Sequence, residues 1–193
     1  MKRYVVGISG ASGSGYALAF LELLAASPER EIHLIVSDNG RKVMEHECGR
    51  SAESLSTIPG SGGASIHLHD NADLFSPPAS GSFGFEAMIV IPCSMGSLSE
   101  IASGASRCLL SRAADVALKE RRTLVLVPRE APYGTIHLRN MLSLSEAGAI
   151  ILPASPGFYD GPKTIDDLRL FIARRVMAAI GLPTEGREWG LPR

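Results

Sequence analysis

The sequence predicts an α/β protein built on a doubly wound, mainly parallel sheet with helices on both faces. Short β-rich apolar runs recur along the chain, and amphipathic stretches of helical length separate most of them. Several runs are continuously apolar rather than alternating, which is typical of parallel strands covered on both sides. The runs span residues 4–9, 32–37, 88–93, 123–127 and 149–152, and a weaker run at 65–69 predicts a further strand.

Length and composition indicate a single domain over residues 1–193. A chain of 193 residues with 45% hydrophobic content can bury an ordinary core without disulfides or metal staples. Its net charge of -1 and its charged fraction of 20% provide no basic field for nucleic acid or an anionic membrane. Any phosphate site must therefore be local. No apolar run approaches the ~20 residues that cross a bilayer.

The cysteines and the start of the chain predict a cytoplasmic protein. Cys48, Cys93 and Cys108 are odd in number and form no C-x-x-C pair. This argues against a disulfide framework or a zinc knuckle and favours a reducing compartment. The residues Met1 to Arg3 lead directly into the first apolar run rather than into a signal-peptide core.

A glycine-rich turn follows the first predicted strand and precedes a helix-length stretch at 16–26. It reads Ser9-Gly-Ala-Ser-Gly-Ser-Gly15. Ligands of parallel sheets bind at the carboxyl ends of the strands. Free N–H groups and the positive end of a helix dipole suit a phosphate there. The alternative is that the glycines only permit a tight turn between strand and helix.

Polar residues also follow the other predicted strands. Ser37 closes the second, Ser94 to Ser97 follow the run at 88–93, and Arg129-Glu130 follows the run at 123–127. The serines also suit a second role, because a hydroxyl at this position often caps the next helix. Arg129 and Glu130 are alternatively a solvated ion pair, but their position at the ligand-binding edge favours a site.

Several blocks of the sequence resemble the UbiX-type flavin prenyltransferases, over residues from about 2 to 189. The resemblance implies a Rossmann-like flavin-binding fold and a homo-oligomer, a dodecamer in that family. It also implies transfer of a dimethylallyl group from dimethylallyl phosphate to N5 and C6 of reduced FMN, giving the prenylated FMN used by UbiD-type decarboxylases. The blocks are ISGASG (8–13), PPASGSF (77–83), IPCS (91–94), RAADVALKER (112–121), LVLVPREAP (124–132), IHLRNM (136–141) and PGFY (156–159).

The resemblance also assigns individual site residues. It implies acid/base roles for Glu130, with Ser12 relaying protons, and for Glu47. One departure is Leu74, where some members have an aromatic residue, and it affects how the prenyl group is packed. The residues implied to bind FMN are Gly10, Ala11, Ser12, Ser37, Ser94, Met95, Gly96, Ser97 and Arg129, and those implied to bind the allylic phosphate are Lys119, Tyr159, Arg175 and Arg112.

The sequence predicts that the transfer needs no metal. Asp166-Asp167 lacks the third aspartate of a D-D-x-x-D magnesium motif, because position 170 is leucine. With Thr164 three residues before Asp167, these aspartates instead predict a capping box at the start of the last helix. The cations have simpler interpretations too. The spacing of Arg112, Asp115 and Lys119 also fits a ladder of charges on a helix surface, and Arg174-Arg175 also fits a solvated helix face. His67 and His69 lack a third metal ligand and are interpreted as structural residues.

Three other functions fit parts of the sequence. A flavin-dependent cysteine decarboxylase has a similar fold, but PASGSF and Ser94-Met-Gly replace its motifs. A nicotinamide reductase is suggested by Asp38 and by Tyr159-x-x-x-Lys163, although Gly161-Pro162 opposes the helix that this pair needs. A protein that only carries FMN is the third alternative, but it would need no second phosphate site.

Residues 183–193, with Trp189, are expected to make oligomer or active-site contacts.

Overall fold

Six parallel strands form the centre of the part of the molecule that the structure describes. The computed structural model describes residues 1–58 and 63–184. The strands are β1 (Lys2–Ile8), β2 (Arg30–Val36), β3 (Ser65–His69), β4 (Ala87–Cys93), β5 (Thr123–Pro128) and β6 (Ile150–Ile151). They form one sheet in the order β3-β2-β1-β4-β5-β6, with every neighbouring pair parallel. Each lies within two residues of its predicted position, so the predicted α/β fold is confirmed.

Helices cover both faces of the sheet. The helices are α1 (Ser14–Ala25), α2 (Asp38–Cys48), α3 (Met95–Ala102), α4 (Leu109–Lys119), α5 (Thr135–Glu146) and α6 (Ile165–Ala179), with short 3-10 turns at Glu53–Ser56 and Pro77–Ala79. Apolar residues of α1 and α6 share one core cluster, and those of α3, α4 and α5 share the other. The central strand β4 is buried at all seven positions. This double coverage explains why its sequence is apolar without alternation.

The start of α6 confirms the predicted capping box. The Thr164 hydroxyl accepts the N–H of Asp167 at 3.1 Å, and the Asp167 carboxylate accepts the N–H groups of Lys163 and Thr164, each at 2.9 Å. Asp167 is therefore committed to the helix terminus. Within the described residues, no helix is both long and apolar enough to cross a bilayer. From residue 185 onward, the segment predicted to make oligomer or active-site contacts lies outside the described residues.

Three histidine rings stack on the edge strand β3 and its neighbour β2. The ring centroid of His33 is 5.1 Å from those of both His67 and His69. His33 is only 4% exposed, with Nδ1 2.8 Å from Nε2 of His69 and Nε2 3.1 Å from Oε1 of Glu31. Burial outweighs the attraction of Glu31 and lowers the pKa of His33 to about 4. The packing fits the structural role predicted for His67 and His69 and adds a third ring that the sequence pattern did not single out.

We expect the protein to lose stability as the pH falls from 6.5 to about 4. His33 is neutral in both states above this range, but within it the unfolded chain binds a proton that folded His33 does not. The pKa difference corresponds to about 3 kcal/mol of unfolding free energy. Urea unfolding at several pH values measures the loss, with the exposed His67→Gln as control. If His33→Gln loses as much stability as the parent over this range, His33 is not the titrating group.

Candidate active site

Ser9 connects the carboxyl ends of β1 and β4. Its buried hydroxyl donates to the carbonyl of Pro92 at 2.9 Å and accepts the N–H of Ser94 at 2.7 Å. The glycine turn after β1 is thereby fixed beside the start of α3. Its other side touches α2, where a Cβ at Gly10 would lie only 2.5 Å from the Cβ of Asn39. Only glycine fits at position 10. The turn is therefore packed between the start of α2 on one side and the start of α3 on the other.

Glu47 occupies the N-terminus of α1. Its carboxylate lies in the last turn of α2 and accepts the N–H of Gly13 at 3.0 Å and that of Ser14 at 2.9 Å. These are two of the N–H groups that the sequence predicted to be free for a phosphate. The expectation is wrong at these two positions, because the chain's own anion binds there and a phosphate would be repelled by it.

The surroundings of Glu47 keep its carboxylate ionised. Burial alone would raise the pKa of Glu47, but hydrogen bonds from the Ser12 hydroxyl and from the N–H groups of Gly13 and Ser14 outweigh it. The pKa therefore lies below its usual value. A carboxylate of this kind is a proton acceptor or a fixed negative charge near neutral pH, rather than a proton donor.

Arg129 and Glu130 diverge at the end of β5. The Arg129 Nε donates to the carbonyl of Ser12 at 3.0 Å, which joins β5 to the glycine turn. Glu130 is exposed, and its Oε1 accepts the N–H of Ala131 at 3.0 Å. In the described part of the chain the two side chains do not form an ion pair with each other. The alternative of a solvated Arg129–Glu130 pair is therefore not what the structure shows.

A cleft of about 470 Å³ opens beside the glycine turn. It lies between the start of α1, the end of α2, the end of β5 and the start of α6. A cleft of this size falls within the usual range for cofactor and small-molecule sites. Ser12, Glu47 and Arg129, which the resemblance assigns to the site, therefore share one cavity with residues that the resemblance did not name. The main side chains of the lining are Ser12, Tyr16, Glu47, Arg129, Leu168 and Arg169.

The strand-end serines cap helices, as the alternative interpretation predicted. The Ser37 hydroxyl accepts the N–H of Gly40 at 3.1 Å at the start of α2, and the Ser94 hydroxyl accepts that of Ser97 at 3.3 Å at the start of α3. The first turn of α2 contains Asp38, whereas that of α3 contains no acidic residue. Of these two helix starts, α3 is therefore the more favourable for an anion.

Lys119 lies at the amino edge of the sheet, away from the glycine turn. It ends α4 shortly before β5 begins at Thr123, and its ammonium pairs with the carboxylate of Glu120. At about 3.3 Å per residue, β5 separates Thr123 from Arg129 by roughly 20 Å. A single copy therefore does not bring Lys119 and Arg129 together.

Arg112 lies two turns before Lys119 on α4. It pairs with Asp115 at 2.7 Å, as the surface-ladder interpretation predicted, and its Nε donates to the carbonyl of Ala79 at 3.0 Å. The block at 77–83 is thus held against α4 by Arg112. Just before this block, Leu74 is 43% exposed and Phe75 is fully exposed. Leu74, where the sequence departs from the family pattern, and Phe75 therefore make little contact within one copy.

Tyr159 precedes α6 and packs against the face of that helix that also carries Arg175. The Tyr159 ring packs edge-on against Phe171, with centroids 6.0 Å apart, and Arg175 follows Phe171 by four residues on the same face. Gly157 is required in this packing, because a Cβ would lie 2.7 Å from the Tyr159 ring. The cleft is lined instead by Arg169. The predicted phosphate-binding residues thus lie in two places, neither of them in the cleft.

The family model named Flavoprotein matches residues 1–177. The flavin prenyltransferase UbiX of Pseudomonas aeruginosa is 44% identical over 98% of this chain and 94% of its own length. The UbiX protein of Thermoplasma acidophilum is also 44% identical, over 93% of this chain and 95% of its own. The chain belongs to the UbiX-type branch of the flavoprotein family. The resemblance read from the sequence blocks is therefore confirmed.

Solved UbiX-type structures match the whole fold. A dodecameric FMN-dependent UbiX-like decarboxylase from Escherichia coli O157:H7 has a TM-score of 0.91 and 41% identity, covering 97% of this chain and 98% of that one. AnUbiX (PadA1), solved with FMN and dimethylallyl pyrophosphate, has a TM-score of 0.88 and 36% identity over 97% and 98%. The cysteine decarboxylase TvaF, at 15% identity and a TM-score of 0.61 over 90% and 98%, shares the fold alone.

Two features of this UbiX-type site were missed from the sequence. The role of Ser9 as a link between strands depends on the register of β1 and β4, which no local pattern reports. Arg169 enters the cleft because α6 crosses α1 at Gly15, where a Cβ would lie 2.4 Å from the Arg169 Nε. A glycine in the first turn of a predicted helix was the available signal for such a close contact.

The structure also bears on the metal and on the reductase alternative. In residues 1–58 and 63–184, no group of three or more His, Cys, Asp or Glu side chains is arranged to hold a metal ion. The segment from Tyr159 to Lys163 is not helical, and Gly161 has a φ of 65°. Tyrosine and lysine therefore do not share a helix face, as a nicotinamide reductase of that type requires.

Proposed function

We propose that this protein is a flavin prenyltransferase that transfers a dimethylallyl group from dimethylallyl phosphate to N5 and C6 of reduced FMN. The product, prenylated FMN, would serve a UbiD-type decarboxylase. The observation that carries the proposal is the cleft in which Ser12, ionised Glu47 and Arg129 converge beside the glycine turn. Relatives at 44% identity that are flavin prenyltransferases support it.

The residues present fit FMN. Among the described residues, a Cβ at Gly96 would meet only the Ser94 hydroxyl, at 4.0 Å, so the start of α3 is open to approach. We place the phosphate at this helix start, with its N–H groups and the hydroxyl of Ser97, rather than at the start of α1. Gly10, Ala11 and Ser12 would then face the ring, with Arg129 beside them. Bound reduced FMN supplies the nucleophilic nitrogen and carbon of the transfer.

The donor supplies an allylic cation and a phosphate when its carbon–oxygen bond breaks. Ionised Glu47 would stabilise the developing positive charge from the cleft, because it is already held as an anion. The new bond at N5 replaces the N5–H bond, and the departing phosphate takes the proton that this releases. Ring closure then requires one proton to be delivered to the prenyl group and one to be removed from C6 of the ring. We assign these transfers to Glu130, which is exposed and directly follows Arg129 of the cleft lining, with Ser12 as relay.

Departure of the phosphate requires cations. Charge-assisted bonds from Lys119 and Arg175, with Tyr159 and Arg112, would stabilise the leaving group without a metal. Lys119 precedes β5 and Arg129 follows it, and Thr123 and Arg129 are roughly 20 Å apart along that strand in one copy, so the complete site needs a second copy. We therefore propose a homo-oligomer, a dodecamer like the UbiX-like neighbour. The three cysteines are free thiols, which supports a cytoplasmic setting.

The direct test is to mix the protein with reduced FMN and dimethylallyl phosphate under anaerobic conditions. We expect a flavin product heavier by one five-carbon unit in the mass spectrum, and release of inorganic phosphate. Recovery of unchanged FMN, tightly bound, would instead support a flavin carrier. Light scattering of the same sample gives the oligomer size. A monomer that makes the product would contradict the two-copy site.

We expect catalysis to persist in the presence of EDTA. The positive charges assigned to the phosphate come from lysine and arginine side chains, so a chelator removes nothing that the site uses. The measurement compares initial rates with EDTA, with added magnesium and with neither. Rates within about twofold of one another agree with the proposal. Loss of turnover in EDTA and its recovery with magnesium would show that a metal acts in the reaction.

A further inference from the structure

Arg169 is a cleft cation that the proposed reaction does not yet use. It lies in the second turn of α6, and its Nη1 pairs with Asp166 at 2.8 Å. Its guanidinium rests on the backbone of α1 at Gly15, where a Cβ would lie 2.4 Å from Nε and 2.9 Å from Cζ. The ion pair with Asp166 fixes the end of the side chain, and the close approach to α1 at Gly15 fixes the position of the guanidinium. Arg169 is therefore held in place at the wall of the cleft.

The cleft has an excess of positive charge. Among residues 1–58 and 63–184, Arg129 and Arg169 line it together with one carboxylate, that of Glu47. Glu47 is already bound to the N–H groups of Gly13 and Ser14. Arg129 donates to a neutral carbonyl, that of Ser12. Asp166, which pairs with Arg169, is 76% exposed and the Arg169 side chain is 40% exposed, so solvent screens the carboxylate more strongly than the guanidinium. A ligand in this cleft therefore meets a positive field.

Reduced and oxidised flavin differ in charge on the ring. The oxidised ring is neutral near neutral pH, whereas the reduced ring readily loses the proton at N1 and becomes an anion. The phosphate carries the same charge in both forms, so a contact to phosphate strengthens both equally. A fixed cation beside the ring strengthens only the reduced form. Ser12 and Arg129, assigned above to FMN, line the same cleft as Arg169.

We infer that Arg169 makes the cleft selective for reduced FMN over oxidised FMN. This rests on the proposed function, which needs the reduced flavin as co-substrate. Arg169 acts by its charge on the bound ring and takes no part in the transfer of the prenyl group. It is a selectivity residue, placed by Gly15 and Asp166. The selection would keep oxidised FMN, which cannot react, from occupying the site.

The experiment measures the affinity of the full-length protein for both forms of FMN, with the reduced form handled anaerobically. For Arg169→Gln we expect binding of reduced FMN to weaken about tenfold, the scale of one charge-assisted contact, with oxidised FMN nearly unchanged. The midpoint potential of the bound flavin, a two-electron couple, should then fall by about 30 mV. A dye-linked redox titration measures this potential without dimethylallyl phosphate.

Two variants serve as controls. Arg169→Lys retains the charge and should retain most of the difference between the two affinities. Arg174→Gln removes the same charge from an exposed position of the same helix and should leave both affinities unchanged. Circular dichroism and light scattering confirm that each variant is folded and assembled. These variants separate the charge at the cleft wall from the overall charge of α6.

Two outcomes would overturn the inference. Equal weakening of both forms of FMN would make Arg169 a contact to phosphate or a structural residue. Unchanged affinities would place the flavin ring away from it. Because these measurements contain no prenyl donor, they succeed or fail separately from the proposed transfer. A tenfold selective loss in a protein that makes no prenylated FMN would retain this inference and reject the function.

Discussion

Replacing Glu130 by glutamine is expected to lower turnover by about 100-fold or more while leaving FMN affinity close to that of the parent. Glutamine keeps the size and hydrogen-bonding capacity of glutamate but cannot exchange a proton near neutral pH. Its side-chain oxygen can still accept the N–H of Ala131, the contact that the carboxylate makes in the structure. Single-turnover rates with saturating reduced FMN and dimethylallyl phosphate measure the effect, and a flavin titration measures the affinity.

Glu47→Gln is the informative companion to this variant. Glu47 is held ionised by the turn after β1, so its replacement removes a fixed charge as well as a proton acceptor. Glutamine cannot match a carboxylate as a cap for the N–H groups of Gly13 and Ser14, and we expect some loss of stability as well as of rate. Loss of stability should be absent from Glu130→Gln. If Glu130→Gln instead loses FMN and its bound fraction reacts normally, Glu130 supports Arg129 rather than transferring protons.

The fold was largely predictable because the strands are buried on both sides. In β4, for example, all seven residues are buried, so apolar side chains occur at every position and are visible as a run. The start of α6 was predictable for a local reason, since Thr164 and Asp167 form their capping box within four residues. Patterns of this kind depend on neighbours in the sequence, and the sequence therefore reports them directly.

The parts of the site that were missed depend on contacts between distant segments. Glu47 was assigned to the site only by the resemblance, because no local spacing shows that its exposed carboxylate caps a helix that begins 33 residues earlier in the chain. Arg169 meets Gly15 where α6 crosses α1, and outside the site His33 joins His69 across a strand pair. None of these distances is set by local spacing. The residue types were visible in the sequence, but their partners were not.

Lys119→Ala is expected to lower kcat/KM for dimethylallyl phosphate by about 10- to 150-fold, because it removes a charge-assisted contact worth ~1.5 to 3 kcal/mol. The contact is to the leaving phosphate, so FMN affinity should be unchanged. Arg175→Ala should behave in the same way, since Arg175 is assigned to the same phosphate. Steady-state rates over a range of donor concentrations at saturating FMN measure both variants.

The position of Lys119 permits a sharper test by mixing subunits. Lys119 and Glu130 lie at opposite ends of β5 in one copy, so a two-copy site takes them from different chains. In oligomers assembled from equal amounts of Lys119→Ala and Glu130→Gln chains, about one quarter of the sites should then contain both intact residues. Co-expression with two affinity tags and sequential purification gives such mixed oligomers. At limiting dimethylallyl phosphate, activity near a quarter of the parent value is expected, whereas each variant alone should retain about a tenth or less. If both residues served the site of their own chain, every site would carry one substitution and mixing would restore nothing.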